Sequence, residues 1–238
     1  MKKLTQLNKI LVIAGLGPGD FNLVSLKAIE EAKDSDMILV PRSRQNEKGM
    51  AESLIAHNVP EKILTPLLFP MTRNEKERDK IILSQLETLR PQLEASRKIF
   101  FPVIGDSMLY STGAYLIEMM KKIFVDVDVE IRFIPGISAH SLAAACAKKF
   151  LAMSDEILSI IPGTADPEKI SSVITHSDSI AIYKPTALKN IHSLIPPSAF
   201  RKIIRVDFAG IPDKERIVEG AEALDDIDEY MSVILLWR

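Results

Sequence analysis

Ile10-Leu11-Val12-Ile13-Ala14-Gly15-Leu16-Gly17-Pro18-Gly19-Asp20 is the stretch whose reading decides the fold. Its apolar run, Ile10 to Leu16, does not alternate with polar residues, so it predicts a strand buried on both faces. Glycines and a proline then impose a turn. Behind them Leu23, Leu26, Ile29 and Ala32 fall at helical spacing and predict a helix from Asn22 to Lys33, capped by Asp20 or Asn22. Strand, glycine turn and helix recur twice. Ile99 to Ile104 leads through Gly105-Asp106 to a helix over Ser111 to Lys122, and Glu130 to Ile134 leads through Pro135-Gly136 to one over Ser138 to Phe150.

The rest of the chain fits the same α/β alternation. Met37 to Val40 predicts a strand stopped by Pro41. A helix at Gly49 to His57, a strand at Ile63 to Leu67 and a helix at Glu75 to Leu89, ended by Pro91, follow. Later elements are shorter: strands at Glu156 to Ile161, Ser179 to Tyr183, Lys202 to Val206 and Ser232 to Trp237, and helices at Pro167 to His176 and Thr186 to Leu194. The expected architecture is two α/β domains with a cleft between them, residues 1–134 with a largely parallel sheet and 135–238 with a mixed one.

Composition excludes several classes. The 238 residues are 47% hydrophobic and 26% charged, which is globular, and roughly 100 to 200 residues per domain allow one large domain or two small ones. Cys146 is the single cysteine, and the four histidines show no metal-ligand spacing, so no structural metal is expected. A formal net charge of -2 offers no overall basic field for nucleic acid. Lys2, Lys3 and Lys9 before Ile10 to Ala14 imitate a signal peptide, but that run is short and a glycine turn stands where a cleavage site belongs. No stretch reaches the roughly 18 apolar residues of a membrane span, and a cytoplasmic protein is expected.

Ligands of open α/β sheets bind beyond the carboxyl ends of strands, so the turns Gly15 to Asp20, Gly105 to Thr112 and Pro135 to His140 are the candidates. The first is not G-x-G-x-x-G, and Asp20 would stand where a pyrophosphate needs an uncharged helix start. No Lys-Ser or Lys-Thr follows the glycines, which excludes a P-loop. An acid and hydroxyls around Gly105 suit a cationic or hydroxylated ligand. Helix capping by Asp106 or Ser107 accounts for the same residues equally well.

Taken together and in this order, the three turns resemble the tetrapyrrole methylase family of S-adenosylmethionine-dependent enzymes. The resemblance rests on Gly15-Leu16-Gly17-Pro18-Gly19-Asp20 with Leu23 to Ala28, on the Gly-Asp-x-x-x-Tyr of Gly105 to Tyr110, and on Pro135-Gly136-Ile137-Ser138. Pro41-Arg42-Ser43-Arg44 and Phe69-Pro70-Met71-Thr72-Arg73 look like the branch that methylates precorrin-2 at carbon 20 in cobalamin biosynthesis. Where the family usually has Gly-Asp-Pro, this chain has Ser107.

The resemblance implies S-adenosylmethionine as cofactor, a tetrapyrrole as substrate and a homodimer. Ile104, Gly105, Asp106 and Leu109 would hold the methionine part, with Pro18 and Tyr110 in the same set. Ser138, Ala139 and His140 would hold the other end, while Tyr183-Lys184 and Phe208-Ala209-Gly210 would line the adenine pocket. A core aromatic is an equal account of Tyr183, and capping is the plainer account of His140. The tetrapyrrole's carboxylates call for guanidinium groups, and Arg42, Arg44 and Arg73 are the candidates, with only Glu47 opposing the first two locally. No catalytic triad is expected, no general base is assigned, and Cys146 is expected to pack with Ala143, Ala144 and Ala147. The apolar strand Val233 to Trp237 is the sequence feature offered for the dimer. A related methylase acting at another carbon, a relative acting on RNA, or a non-catalytic cofactor-binding module are the alternatives.

Overall fold

The computed structural model describes residues 9–72, 74–188 and 190–238. They form two compact units, one ending at Ile137 and one running Ser138–Arg238.

The first unit alternates strand and helix throughout: β1 Lys9–Gly15, α1 Leu26–Lys33, β2 Met37–Arg42, α2 Met50–Asn58, β3 Leu64–Leu68, α3 Glu75–Thr88, α4 Arg90–Ala95, β4 Lys98–Val103, α5 Gly113–Ile123 and β5 Val129–Ile134. Every pairing is parallel, in the order β3-β2-β4-β1-β5. The period of two explains why β1 is apolar without interruption. Leu11 and Ile13 enter one core with α3, α4 and α5, whereas Ile10, Val12 and Ala14 enter another with α1 and α2. Lys9, at the start of β1, is buried too. Its ammonium donates to the carbonyls of Leu93, Glu94 and Ser96 at 2.8–2.9 Å, closing the carboxyl end of α4.

Several boundaries depart from expectation for identifiable reasons. The helix expected from Asn22 starts only at Leu26. Asp20 accepts from Asn22 N and caps a single 3-10 turn, Phe21–Leu23, and Ser25 caps α1 by accepting from Ala28 N. Pro41, expected to stop β2, lies inside it, because β2 bonds to β4 only through Met37 and Ile38 and beyond them has one unpaired flank. Pro91, expected to end a helix, stands in the first turn of α4, where no amide donor is needed.

The second unit contains α6 Ala139–Cys146, β6 Leu158–Pro162, α7 Pro167–His176, β7 Ser179–Tyr183, α8 Ile191–Leu194, β8 Lys202–Asp207, β9 Arg216–Glu219 and β10 Ser232–Trp237. The sheet is mixed, in the order β6-β7-β10-β8-β9, with β6 and β7 parallel and the remaining pairs antiparallel. α7 packs on one face through Ile170 and Ile174, and α6 on the other through Ala143 and Ala144.

α6 ends well before Phe150. Lys148 turns left-handed at φ 52°, its amide bonds Ala145 O, and Lys149 N bonds Ala144 O, which together form a Schellman close. The helix expected over Thr186 to Leu194 is broken by left-handed Asn190 into a 3-10 turn at Pro185–Ala187 and the short α8. β9 was not expected: an exposed edge strand of sequence Arg-Ile-Val-Glu carries no apolar run. β10 is central and paired on both sides, so its apolar residues are spent in the core and lend no support to a dimer.

Candidate functional site

The connection from β1 to β2 leads toward one edge of the first sheet, while that from β4 to β5 crosses β1 toward the other. The crevice of this sheet therefore opens between the carboxyl ends of β1 and β4. Backbone meets backbone there. Gly17 N donates to Gly105 O at 3.1 Å, Gly105 N to Gly17 O at 2.8 Å, and Leu16 N to Val103 O at 2.9 Å.

Glycine is required by this approach. A methyl group on Gly15 would stand 2.6 Å from Gly105 O and from Gly136 N; one on Gly136 would stand 2.2 Å from Gly105 O. Gly105 differs. It has φ +72°, and a Cβ there would meet nothing within 4 Å, so its backbone borders open space. The three glycine turns predicted from sequence thus meet at one edge, and of Gly15, Gly105 and Gly136 only Gly105 has room for a Cβ.

Ser107, offered as a cap, caps no helix. Its buried hydroxyl donates to Ile134 O at 2.8 Å and ties the Gly105 turn to the end of β5. Asp106 is half-buried and accepts from Met108 N at 3.1 Å, a local turn that keeps the carboxylate beside Gly105. Tyr110 takes φ +52°, an uncommon conformation for an aromatic residue, and burial pushes its phenol above the ordinary value. Pro18 is buried within the first turn, and Ile104 and Leu109 are half-buried.

In the second unit, Ser138 is the N-cap of α6 but makes no side-chain capping bond. Tyr183 takes that place from the end of β7: its hydroxyl accepts from His140 N at 3.2 Å and lies 2.8 Å from His140 Nδ1. Register puts Tyr183 and Val206 opposite the same residue, Val233, so the carboxyl ends of β7 and β8 share an edge. Ala209, just past β8, is buried. Its turn is held by Glu215, whose Oε2 accepts from Gly210 N at 2.8 Å and from Cys146 Sγ at 3.1 Å. Cys146 was expected only to pack against alanines; Glu215 is its missed partner, and burial pushes the thiol up to about 11.

The arginines are placed less as expected. Arg42 ends β2 on the same carboxyl edge, but its fork is filled: Nε and Nη2 each donate to a carboxylate oxygen of Glu52 at 2.6 Å. That hydrogen-bonded guanidinium holds Glu52 below the usual carboxylate range. Glu52 lies in the first turn of α2, and no local charge pattern points from Arg42 to it. Arg44 is 74% exposed and paired with Glu47 at 2.9 Å. Arg73 lies outside the described residues. No three described His, Cys, Asp or Glu residues come together as metal ligands.

A parallel sheet whose glycine turns converge at the crevice, with room beside Gly105 and an acid next to it, presents the edge at which open α/β folds take their ligands. The comparisons with known proteins specify which family. Residues 10–224 match the family of Tetrapyrrole (Corrin/Porphyrin) Methylases, and the chain belongs to that family. It is a methyltransferase whose cofactor is S-adenosylmethionine. A "Probable cobalt-precorrin-2 C(20)-methyltransferase" of Methanocaldococcus jannaschii is 30% identical over 237 residues, 99% of either chain. The cobalt-precorrin-2 C(20)-methyltransferase of Salmonella typhimurium is 25% identical over 75% of this chain and 73% of its own. A cobalt-precorrin-4 C(11)-methyltransferase of M. jannaschii is also 25% identical, over 93% of this chain and 82% of its own. Among solved structures, a cobalt precorrin-4 methyltransferase superposes with TM-score 0.69 at 21% identity, over 100% of this chain and 97% of its own. The uroporphyrin-III C-methyltransferase of Thermus thermophilus, complexed with S-adenosyl homocysteine, does so with TM-score 0.65 at 16% identity, over 97% and 98%.

Proposed function

We propose that this protein methylates precorrin-2, metal-free or carrying cobalt, at carbon 20 in cobalamin biosynthesis. The observation that carries the reading is the end-to-end likeness to the M. jannaschii relative of that name, at 30% identity. The Salmonella relative supports the same substrate, and the C(11) relative is why the ring position needs its own test.

The residues fit the cofactor. Open space beside Gly105 can admit a ligand to bare backbone, and the Asp106 carboxylate beside it suits a cationic group. In this reading Ile104, Gly105, Asp106 and Leu109 hold the methionine part, with Pro18 and Tyr110 in the same set. When bound, the cofactor supplies a methyl group on a positively charged sulfur, which a nucleophilic carbon displaces in line. The protein's own contribution is alignment and exclusion of water, and alignment alone supplies up to roughly 7 to 11 kcal/mol. Because charge on sulfur disappears in the transition state, no oxyanion hole is required.

Homodimeric assembly and a cytoplasmic location belong to the same reading, carried by the family likeness. A monomer mass from light scattering at micromolar concentration would refute the dimer. Catalysis is separated from mere cofactor binding by a single-turnover experiment. S-adenosylhomocysteine should form when precorrin-2 is added to the cofactor-loaded protein; no product with a tetrapyrrole present would leave a binding module.

A further inference from the structure

Between β2 and α2, Ser43 to Lys48 are all exposed, yet both ends of the segment are fixed. At the entry, Arg42 spans the segment to Glu52 with two bonds of 2.6 Å, and its Nη1 donates to Gln45 O at 3.2 Å. At the exit, Gly49 sits so close to β2 that a Cβ would stand 2.5 Å from Pro41 O. Glu52 is only 5% exposed. A buried ion pair of this kind is a poor source of stability, since apolar residues of similar volume do as well; what it contributes is a fixed geometry.

The group that this geometry presents is Arg44. It stands two residues past the clamp, on the carboxyl edge of the strand next to β4, with its side chain 74% exposed. Its partner Glu47 is itself 64% exposed, and such surface pairs are weak enough for an incoming carboxylate to displace. We infer that Arg42 and Glu52 are positioning residues that hold the Ser43–Lys48 segment so that Arg44, not Arg42, binds a carboxylate of the substrate. The inference rests on the proposed tetrapyrrole substrate, whose carboxylates are what Arg44 would read.

The test measures tetrapyrrole KM, kcat and S-adenosylhomocysteine affinity for wild type, Glu52→Gln, Arg44→Gln and the double variant. Glutamine at 52 keeps a hydrogen-bonding side chain of the same size and Arg44 is exposed; circular dichroism and unchanged S-adenosylhomocysteine affinity establish that each variant is folded before its KM is compared. Each single variant should raise KM roughly tenfold, the scale of one lost charge-assisted contact, with kcat and cofactor affinity unchanged. The double variant should be no worse than the worse single one, because Glu52 acts through Arg44. Multiplying effects, or unchanged KM in either single variant, would overturn the assignment. A lowered KM in Glu52→Gln would overturn it as well, since a released Arg42 would then be the substrate ligand. A wild-type protein that methylates no tetrapyrrole defeats the proposed function itself, and this inference with it.

Discussion

Adding one methyl group at Gly105 separates the cofactor edge from ordinary backbone strain. Gly105 has φ +72° and no atom within 4 Å of a built Cβ, so alanine there meets no steric conflict within the protein. The remaining cost is conformational, about 1 to 3 kcal/mol for a non-glycine residue held in a sparsely populated region. At about 2 to 4 °C per kcal/mol for a chain of this size, Tm should fall by roughly 2 to 12 °C. Gly220 is a positive-φ control, with φ +78° and likewise nothing within 4 Å, but placed beside β9. Gly220→Ala should also lose stability, but bind S-adenosylhomocysteine as the wild type does. Gly105→Ala should in addition lose more than about tenfold in affinity, 1.4 kcal/mol or more, because its methyl group occupies the space assigned to the ligand. Differential scanning fluorimetry and titration calorimetry on the two variants read both quantities. Equal Tm losses with unchanged affinity in Gly105→Ala would refute the placement of the cofactor at this edge.

Other perturbations reach other parts of the account. Asp106→Ala should weaken S-adenosylhomocysteine binding more than about tenfold while the fold persists, since its bond to Met108 N is local; unchanged affinity by calorimetry would remove Asp106 from the site. Glu31 is held at about 2 by hydrogen bonds from Lys27 and then Lys98. A carboxylate depressed in the folded state adds stability that is complete above its unfolded value of about 4.5 and is lost as pH falls toward 2, so Glu31→Gln should flatten the acid side of the stability profile in that window. Equal slopes for variant and wild type in acid denaturation would contradict the ion-pair reading. With its thiol at about 11, Cys146 should resist iodoacetamide at pH 8 in the folded protein and react after unfolding; rapid modification of the native state would show a thiolate that burial does not suppress.

What was legible in the sequence is what repeats or lies buried on both faces. Ile10 to Leu16 carries no alternation because β1 is the second strand from one edge of a doubly covered sheet, and that single feature implies the parallel topology. The glycines at 15 and 136 announced their turns because no other residue fits so close a backbone approach, and Gly105 announced its own because φ +72° favours glycine. Less was visible where the partner is distant or the signal weak. Glu52 reads as a helix first-turn acid until the fold brings Arg42 to it, and Glu215 gives no hint that it would hold Gly210 and Cys146 together. The prolines misled because their effect depends on what stands beside them: Pro41 has a free strand flank, and Pro91 a helix start. Tyr183 caps α6 across a separation of 43 residues, which no local pattern encodes.

The central claim is the position of the transferred methyl group. Purified protein is incubated with precorrin-2, with and without cobalt, and S-adenosylmethionine labelled with carbon-13 in its methyl group, and the product is examined by mass spectrometry and carbon NMR. The account predicts one added methyl group, attached to carbon 20, in at least one of the two substrate forms. A label found at any other ring carbon, or a tetrapyrrole returned unmethylated in both forms, would contradict it.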